Sequence, residues 1–369
     1  MLIFGIFEQV DSTMKSFVWI VLLVDFVLTA PYINGNQNNN VNTIEELIQV
    51  GKIPFPPPPS SLPHNSSFIP LLARLCDGQN PNCLQNVEWI VSVPKRPAQK
   101  ACELYLKAPV DRILGGRPVE LGEFPWMAAL GYLNDQYNVE FNCGGTVISE
   151  LYVMTAAHCT ALARPPVVVR LGKTSLIDGD GIRPTNHAIN DIIRHPSYSS
   201  ITKRNDIALL RLGRRIYFTR EISPACLQTD LSDITAEMKL LVTGWGSTSF
   251  DREIRSNVLL KTQLTSMPLP ECNQTFLNYN VLAYQAALQD GISQGQYCAY
   301  DPTGRNDSCQ GDSGGPLQYF PTSNSSVSTV VGIVSYGLSC GTALPGIYTR
   351  VAFYLDWIES IVWPNTKRT

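Results

Sequence analysis

Apolar and polar positions divide the chain into stretches of unlike character. Phe17 to Leu28 is apolar, interrupted only by Asp25, and follows Lys15, the one basic residue among the first fifty. That run is too short to cross a bilayer but has the length and flank of a signal peptide. Residues 1–30 are therefore read as a leader. No positive side chain precedes Lys15, so translation is expected to start productively at Met14. Cleavage near Ala30 fits the small residues there, with Pro31 able to shift the cut downstream. The polar, Asn-rich stretch Asn34 to Asn42 and the run Phe55-Pro56-Pro57-Pro58-Pro59-Ser60-Ser61 predict a largely unstructured, extended linker. Residues 71–106 hold Cys76, Cys83 and Cys102 and are read as a small ordered knob.

Further on the apolar runs shorten and end in chemistry. Leu151-Tyr152-Val153-Met154 predicts a strand, which closes in the small residues Thr155-Ala156-Ala157 before His158-Cys159. Asp206 opens a second run, Ile207-Ala208-Leu209-Leu210-Arg211-Leu212, and so carries a carboxylate into apolar surroundings. Val351 to Ile361 predicts a C-terminal amphipathic helix with Leu355, Trp357, Ile358 and Ile361 available for packing.

Composition narrows the class. The chain has 369 residues, enough for two or three folded units, and 44% are hydrophobic. A net charge of −3 without a basic block excludes nucleic acid as an expected partner. Ten cysteines point to an oxidising compartment, and the lack of any C-x-x-C pair leaves zinc without support. The protein is expected to be secreted, with no membrane partner.

Gly311-Asp312-Ser313-Gly314-Gly315-Pro316 is the most informative segment. Glycines beside a serine let backbone N–H groups approach a reacting carbonyl, and such donors stabilise an oxyanion. Serine needs a base. The four histidines, His64, His158, His187 and His195, all precede Ser313. A nucleophile elbow of the α/β-hydrolase kind places its histidine after the serine, so that reading fails. The subtilisin order survives on chain order alone but has no motif behind it. The order His, Asp, Ser remains; His158 fits it, and of the several aspartates between His158 and Ser313, Asp206 is the best candidate. A buried carboxylate needs a partner, and an imidazole can serve. A turn aspartate at a strand start is the plainer alternative for Asp206.

At this point the sequence resembles the chymotrypsin/trypsin family of serine proteases, from about Ile113 to the C-terminus. The resemblance is carried by Ile113-Leu114-Gly115-Gly116, Cys143-Gly144-Gly145, Thr155-Ala156-Ala157-His158-Cys159, Asp206-Ile207-Ala208-Leu209-Leu210, Thr243-Gly244-Trp245-Gly246, the Ser313 motif and Pro345-Gly346-Ile347-Tyr348, in that order. It implies an all-β fold of two antiparallel six-stranded β-barrels with the active site in the cleft between them. It assigns His158 as general base, Asp206 as its orienter and Ser313 as nucleophile, with the N–H groups of Gly311 and Ser313 as oxyanion hole. Residues 113–369 become the peptidase domain and residues 31–112 a propeptide. Arthropod cascade proteases often carry a six-cysteine clip domain. The propeptide here has three cysteines and no adjacent pair, so a complete clip domain is ruled out.

The resemblance also implies pairings and roles. Cys143–Cys159, Cys272–Cys298 and Cys309–Cys340 are the family's disulfides. Three pairings of Cys76, Cys83, Cys102 and Cys226 are open; related zymogens favour Cys102–Cys226, leaving Cys76–Cys83. Cleavage after Arg112 would free Ile113, whose amine would pair with Asp312 and order the neighbouring oxyanion hole. Asp307 would form the floor of a pocket for Arg or Lys, between Gly337 and Gly346. Ser335-Tyr336-Gly337 would bind substrate as an extended strand, with Tyr336 in place of the commoner tryptophan. Lys203 would border the next subsites and favour an acidic residue there. Lys173 stands where calcium-binding relatives use a carboxylate, so neither metal nor cofactor is expected. Sequons mark Asn65, Asn273 and Asn324 as glycan acceptors; Asn306 is expected to stay unmodified. Expected partners are protein substrates, an upstream activating protease and a serpin-type inhibitor.

Overall fold

The computed structural model describes residues 95–107, 121–177, 184–235, 237–246, 255–278, 287–288, 290–302, 312–322, 325–337 and 344–366. All lie in the unit Val93–Thr369. Its first half is built from β1 (Met127–Leu133), β2 (Val139–Val147), β3 (Tyr152–Thr155), β4 (Val168–Leu171), β5 (Thr185–Arg194) and β6 (Ala208–Leu212). They close as a barrel in the order β1-β2-β3-β6-β5-β4, every neighbour antiparallel. β6 is buried at every position except Arg211, as suits a short apolar run packed on both faces. Closure brings β1 between β2 and β4. Gly131 sits at the crossing, since a Cβ there would stand 2.6 Å from both Val139 and Val168 methyls.

The second half holds β7 (Cys226–Leu227), β8 (Leu240–Gly244), β9 (Leu260–Met267), β10 (Gln296–Tyr300), β11 (Pro316–Tyr319), β12 (Thr329–Tyr336) and β13 (Gly346–Arg350). Strands β11-β8-β9-β10-β13-β12 form an antiparallel ring closed by β11–β12, while β7 pairs in parallel with the start of β12. Leu240, Val242, Leu264, Leu317, Val331 and Tyr348 fill it. Two six-stranded barrels are thus present, as the sequence implied.

Helices are few. α1 (Pro97–Leu106), α2 (Leu269–Asn278) and α3 (Leu355–Val362) are the α-helices among the described residues, and none is long and apolar enough to cross a membrane. A 3-10 turn, Val351–Tyr354, leads into α3. Leu355 and Ile358 are buried in the core, with Trp357 and Ile361 packed against it, so the C-terminal periodicity was read correctly.

Helix α1 lies on the barrels. Cys102 is bonded to Cys226, and the Tyr105 hydroxyl donates to the Ile148 carbonyl at 2.9 Å. Arg96, just before α1, donates through Nε to Glu359 Oε1 at 3.1 Å and through its terminal nitrogen to Oε2 at 3.0 Å, and also to Asp356. Cys143–Cys159 and Cys272–Cys298 are the other two disulfides among the described residues. Cys76, Cys83, Cys309 and Cys340 lie outside the described residues.

Candidate active site

His158 rides on a 3-10 turn, Ala157–Cys159, that follows β3 directly. The strand ends in Thr155-Ala156-Ala157, which are buried, so the larger imidazole is the first side chain to emerge. Asp206 comes just before β6, the neighbour of β3, with its side chain 0% exposed. Its Oδ2 lies 2.8 Å from His158 Nδ1, and its Oδ1 accepts the His158 backbone N–H at 2.8 Å. The Ser335 hydroxyl donates to Oδ2 at 2.5 Å, and the Thr349 hydroxyl donates to the Asp206 carbonyl at 2.8 Å. One carboxylate is thus held by barrel one through His158 and by barrel two through Ser335. Burial pulls the Asp206 carboxyl upward, but the imidazole, the Ser335 hydroxyl and the backbone N–H together keep it below the usual carboxylate range. An ionised carboxylate only accepts, so Nδ1 carries the proton and Nε2 is the acceptor.

Ser313 is brought to the same corner by its glycines. Gly144 of β2 donates its N–H to the Ser313 carbonyl at 2.8 Å. Gly314 has φ +79°, a left-handed backbone, and a Cβ there would stand 2.2 Å from Thr155 Oγ1. The Cys159 sulfur lies 3.7 Å from His158 Nε2 and 3.6 Å from the Ser313 carbonyl oxygen, so both residues flank one atom. Cys143, Cys159 and His158 cluster, yet the two sulfurs are joined in a disulfide and offer no thiolate to a metal.

Asp312 accepts the Gly246 N–H at 2.9 Å. A Cβ on Gly244 would stand 2.0 Å from its Oδ1, and one on Gly246 2.5 Å from its Oδ2. The glycines of Thr243-Gly244-Trp245-Gly246 therefore make the seat of that carboxylate.

Of the other sequence candidates, Ser335 is buried and spends its hydroxyl on Asp206. Tyr336 receives a hydrogen bond from Gln296 Nε2 at 3.1 Å, and burial pushes its phenol up to about 12. Gly337 is exposed and a Cβ there would meet nothing within 4 Å, whereas one on Gly346 would face the Tyr348 ring. Lys203 has φ 53° and is half-buried; Lys173 is buried at the end of β4. Asn273 has its amide committed: Nδ2 donates to Leu269 and Ile292 carbonyls, and Oδ1 accepts the Ile292 N–H at 2.8 Å. A glycan on Nδ2 would take one of its two N–H donors and leave Oδ1 free to accept from Ile292. Asp307, Gly311, Arg112, Ile113, Asn65, Asn306 and Asn324 lie outside the described residues. Sequence reading quoted Gly144 and Thr155 within motifs without seeing them as supports, and it missed Thr349, which carries no local signal.

A family model described as Trypsin matches residues 113–358. Serine protease Hayan of Drosophila melanogaster is 39% identical over 285 residues, 75% of this chain and 44% of that protein. Serine protease snk of the same organism is 41% identical over 261 residues, 69% of this chain and 58% of that protein. Phenoloxidase-activating factor 3 of Holotrichia diomphalia is 36% identical over 266 residues, 68% of this chain and 72% of that protein. The chain spans about half the length of the first two relatives. With a matched region that covers both barrels, His158, Asp206 and Ser313, the chain belongs to the trypsin family.

Proposed function

We propose that this chain is a secreted zymogen of a serine endopeptidase that cuts after Arg or Lys through an acyl-enzyme. The observation that carries the reading is the buried, ionised Asp206 bonded to His158 Nδ1, with Ser313 fastened beside the ring. His158 Nε2 takes the Ser313 proton as the hydroxyl attacks the scissile carbonyl, then gives it to the leaving amine. Asp206 holds the tautomer and stabilises the imidazolium. The N–H groups of Gly311 and Ser313 stabilise the oxyanion. This is the scheme of the family at large.

Cleavage at Arg112–Ile113 supplies an amine for Asp312, whose carboxylate sits against Gly244 and Gly246. Asp307 selects the basic side chain, with Ser335, Tyr336, Gly337 and Gly346 along the substrate path. Relatives named as phenoloxidase-activating factor and melanization protease support a protein substrate within a proteolytic sequence. An upstream protease and a serpin-type inhibitor complete the expected partners. Asn65, Asn273 and Asn324 are glycan acceptors.

The test uses full-length protein cut by immobilised trypsin and separated from it. A fluorophosphonate should label wild type and not Ser313→Ala, and Arg/Lys peptides should be cleaved. Asp307→Ser should lose the Arg/Lys preference while still being labelled. No labelling of wild type would make the chain a non-catalytic binder, ester turnover without peptide turnover an esterase, and full activity of uncut Arg112→Gln would end the activation scheme.

A further inference from the structure

Asn205, the residue before Asp206, has a left-handed backbone at φ 56°. Asparagine tolerates that region better than most residues, but the conformation must still be held. Its carbonyl accepts the Ile207 N–H at 2.9 Å, which puts Asp206 at the centre of a three-residue turn. Its side-chain amide donates to the Ser197 carbonyl at 2.8 Å. Its side-chain oxygen accepts the Tyr354 hydroxyl at 3.0 Å.

Tyr354 ends the 3-10 turn before α3 and is buried. Burial pushes its phenol up to about 12, so the group is a donor at any working pH. Room for the hydroxyl is made by Gly295, where a Cβ would stand 2.6 Å from it. The Tyr354 ring also packs edge-on to His195 with centroids 5.3 Å apart, and the His195 N–H donates to the Ile207 carbonyl at 3.0 Å. Tyr354 therefore touches both limbs of the loop that presents Asp206.

We propose that Tyr354 is a positioning residue for Asp206, acting through Asn205. Its hydroxyl fixes the asparagine side chain, and the asparagine backbone sets where the carboxylate meets His158. Tyr354 itself touches none of the reacting atoms. This rests on the reading of His158, Asp206 and Ser313 as the catalytic residues. Loss of the hydroxyl leaves the Asn205 oxygen unfilled and lets the turn relax, and a shift of about 1 Å at a catalytic group is enough for a roughly 100-fold loss.

The experiment compares Tyr354→Phe, Asn205→Gly, their double variant, Gly295→Ala and Asp206→Asn in the full-length protein after cleavage by immobilised trypsin. Tyr354→Phe is expected to lower kcat and the rate of fluorophosphonate labelling by about tenfold with KM held within about twofold. Asn205→Gly keeps the backbone accessible and should show the same loss. The double variant should fall no lower than the worse single, because both changes cut one link. Gly295→Ala, which crowds the hydroxyl from the other side, should also lower kcat without raising KM. An unchanged kcat in Tyr354→Phe, a loss carried by KM, or losses that multiply in the double variant would each overturn the role. Asp206→Asn separates the two levels. If it collapses while Tyr354→Phe stays unchanged, only the positioning role falls; if Asp206→Asn also stays unchanged, the catalytic assignment falls.

Discussion

Gly144 donates its backbone N–H to the Ser313 carbonyl at 2.8 Å, a bond that ties the Ser313 loop of the second barrel to strand β2 of the first. The same loop is fastened to its own barrel, since Gly314 N–H donates to Val334 and Val334 N–H donates to Gly315, both at 2.9 Å. An alanine at 314 would need a left-handed backbone and would thrust its Cβ to 2.5 Å from the Gly144 carbonyl. We expect Gly314→Ala to lose more than ~100-fold in kcat and to melt at lower temperature. Gly337→Ala, in open space, should keep the wild-type melting temperature and act on KM instead. Scanning calorimetry beside steady-state kinetics checks both; the opposite assignment of effects would refute the argument.

Lys203 adopts φ 53° three residues before Asp206. Its neighbours are anchored: Arg204 reaches the Asp290 carbonyl at 3.4 Å and carboxylate at 3.6 Å, and Asn205 is held by Ser197 and Tyr354. The lysine is thus carried on a fixed loop. Asp111 precedes Arg112 in the sequence proposed for activation cleavage. We expect Asp-Arg reporter peptides to be cut faster than Gly-Arg ones, by a few-fold as suits a single partly screened charge pair. Lys203→Ala should erase the difference. Equal rates in wild type would remove the proposal.

Arg96 and Glu359 are 8% and 5% exposed, so their bidentate pair is a buried one. Breaking such a pair leaves an uncompensated charge, at a cost of about 3–5 kcal/mol. Arg96→Ala is expected to lower stability on that scale in urea unfolding with disulfides intact. Lys95→Ala, which breaks only the surface pair with Glu103, should leave the unfolding midpoint close to that of wild type. Arg96→Met with Glu359→Leu should recover most of the loss. A small effect of Arg96→Ala would mean that Cys102–Cys226 and the other contacts of α1 hold the helix without that pair.

What the sequence made legible was local. The strand before His158 and the apolar run after Asp206 could be read because burial of nearly every side chain makes a short continuous apolar run. The C-terminal helix was legible because burial of one face imposes a helical period on neighbouring residues. Ser335 on Asp206 and Tyr354 on Asn205 join residues 129 and 149 apart, and no period records such a meeting. Residues 71–106 are expected to form a small ordered knob, and residues 71–94 of it lie outside the described residues. Within the rest, Pro97–Leu106 is a helix docked on the barrels through an Arg96–Glu359 pair spanning 263 residues, a contact that no local pattern announces. Asn273 shows the converse limit. A three-residue sequon reads only its own neighbours, whereas the bonds that occupy its amide come partly from Ile292.

His187 lies on β5 in register with Val169 and is 3% exposed, with neither ring nitrogen in a well-formed hydrogen bond. Burial lowers its pKa from the ordinary value, the Arg214 charge adds to this, and the Arg214 backbone opposes it only in part. The unfolded chain takes up a proton near pH 6.5 while the native ring stays neutral. Below that pH the unfolded state binds more protons, so stability falls with acid from about pH 6.5 down to the depressed native value and is unaffected at higher pH. His195, also lowered by burial, acts in the same direction and should leave part of the slope. We therefore expect the melting midpoint to drop between pH 7 and pH 5, and His187→Leu to flatten that drop without changing the slope above pH 7. Melts across the same pH range decide the matter: an acid slope as steep in His187→Leu as in wild type would show that the buried imidazole is not what the proton attacks.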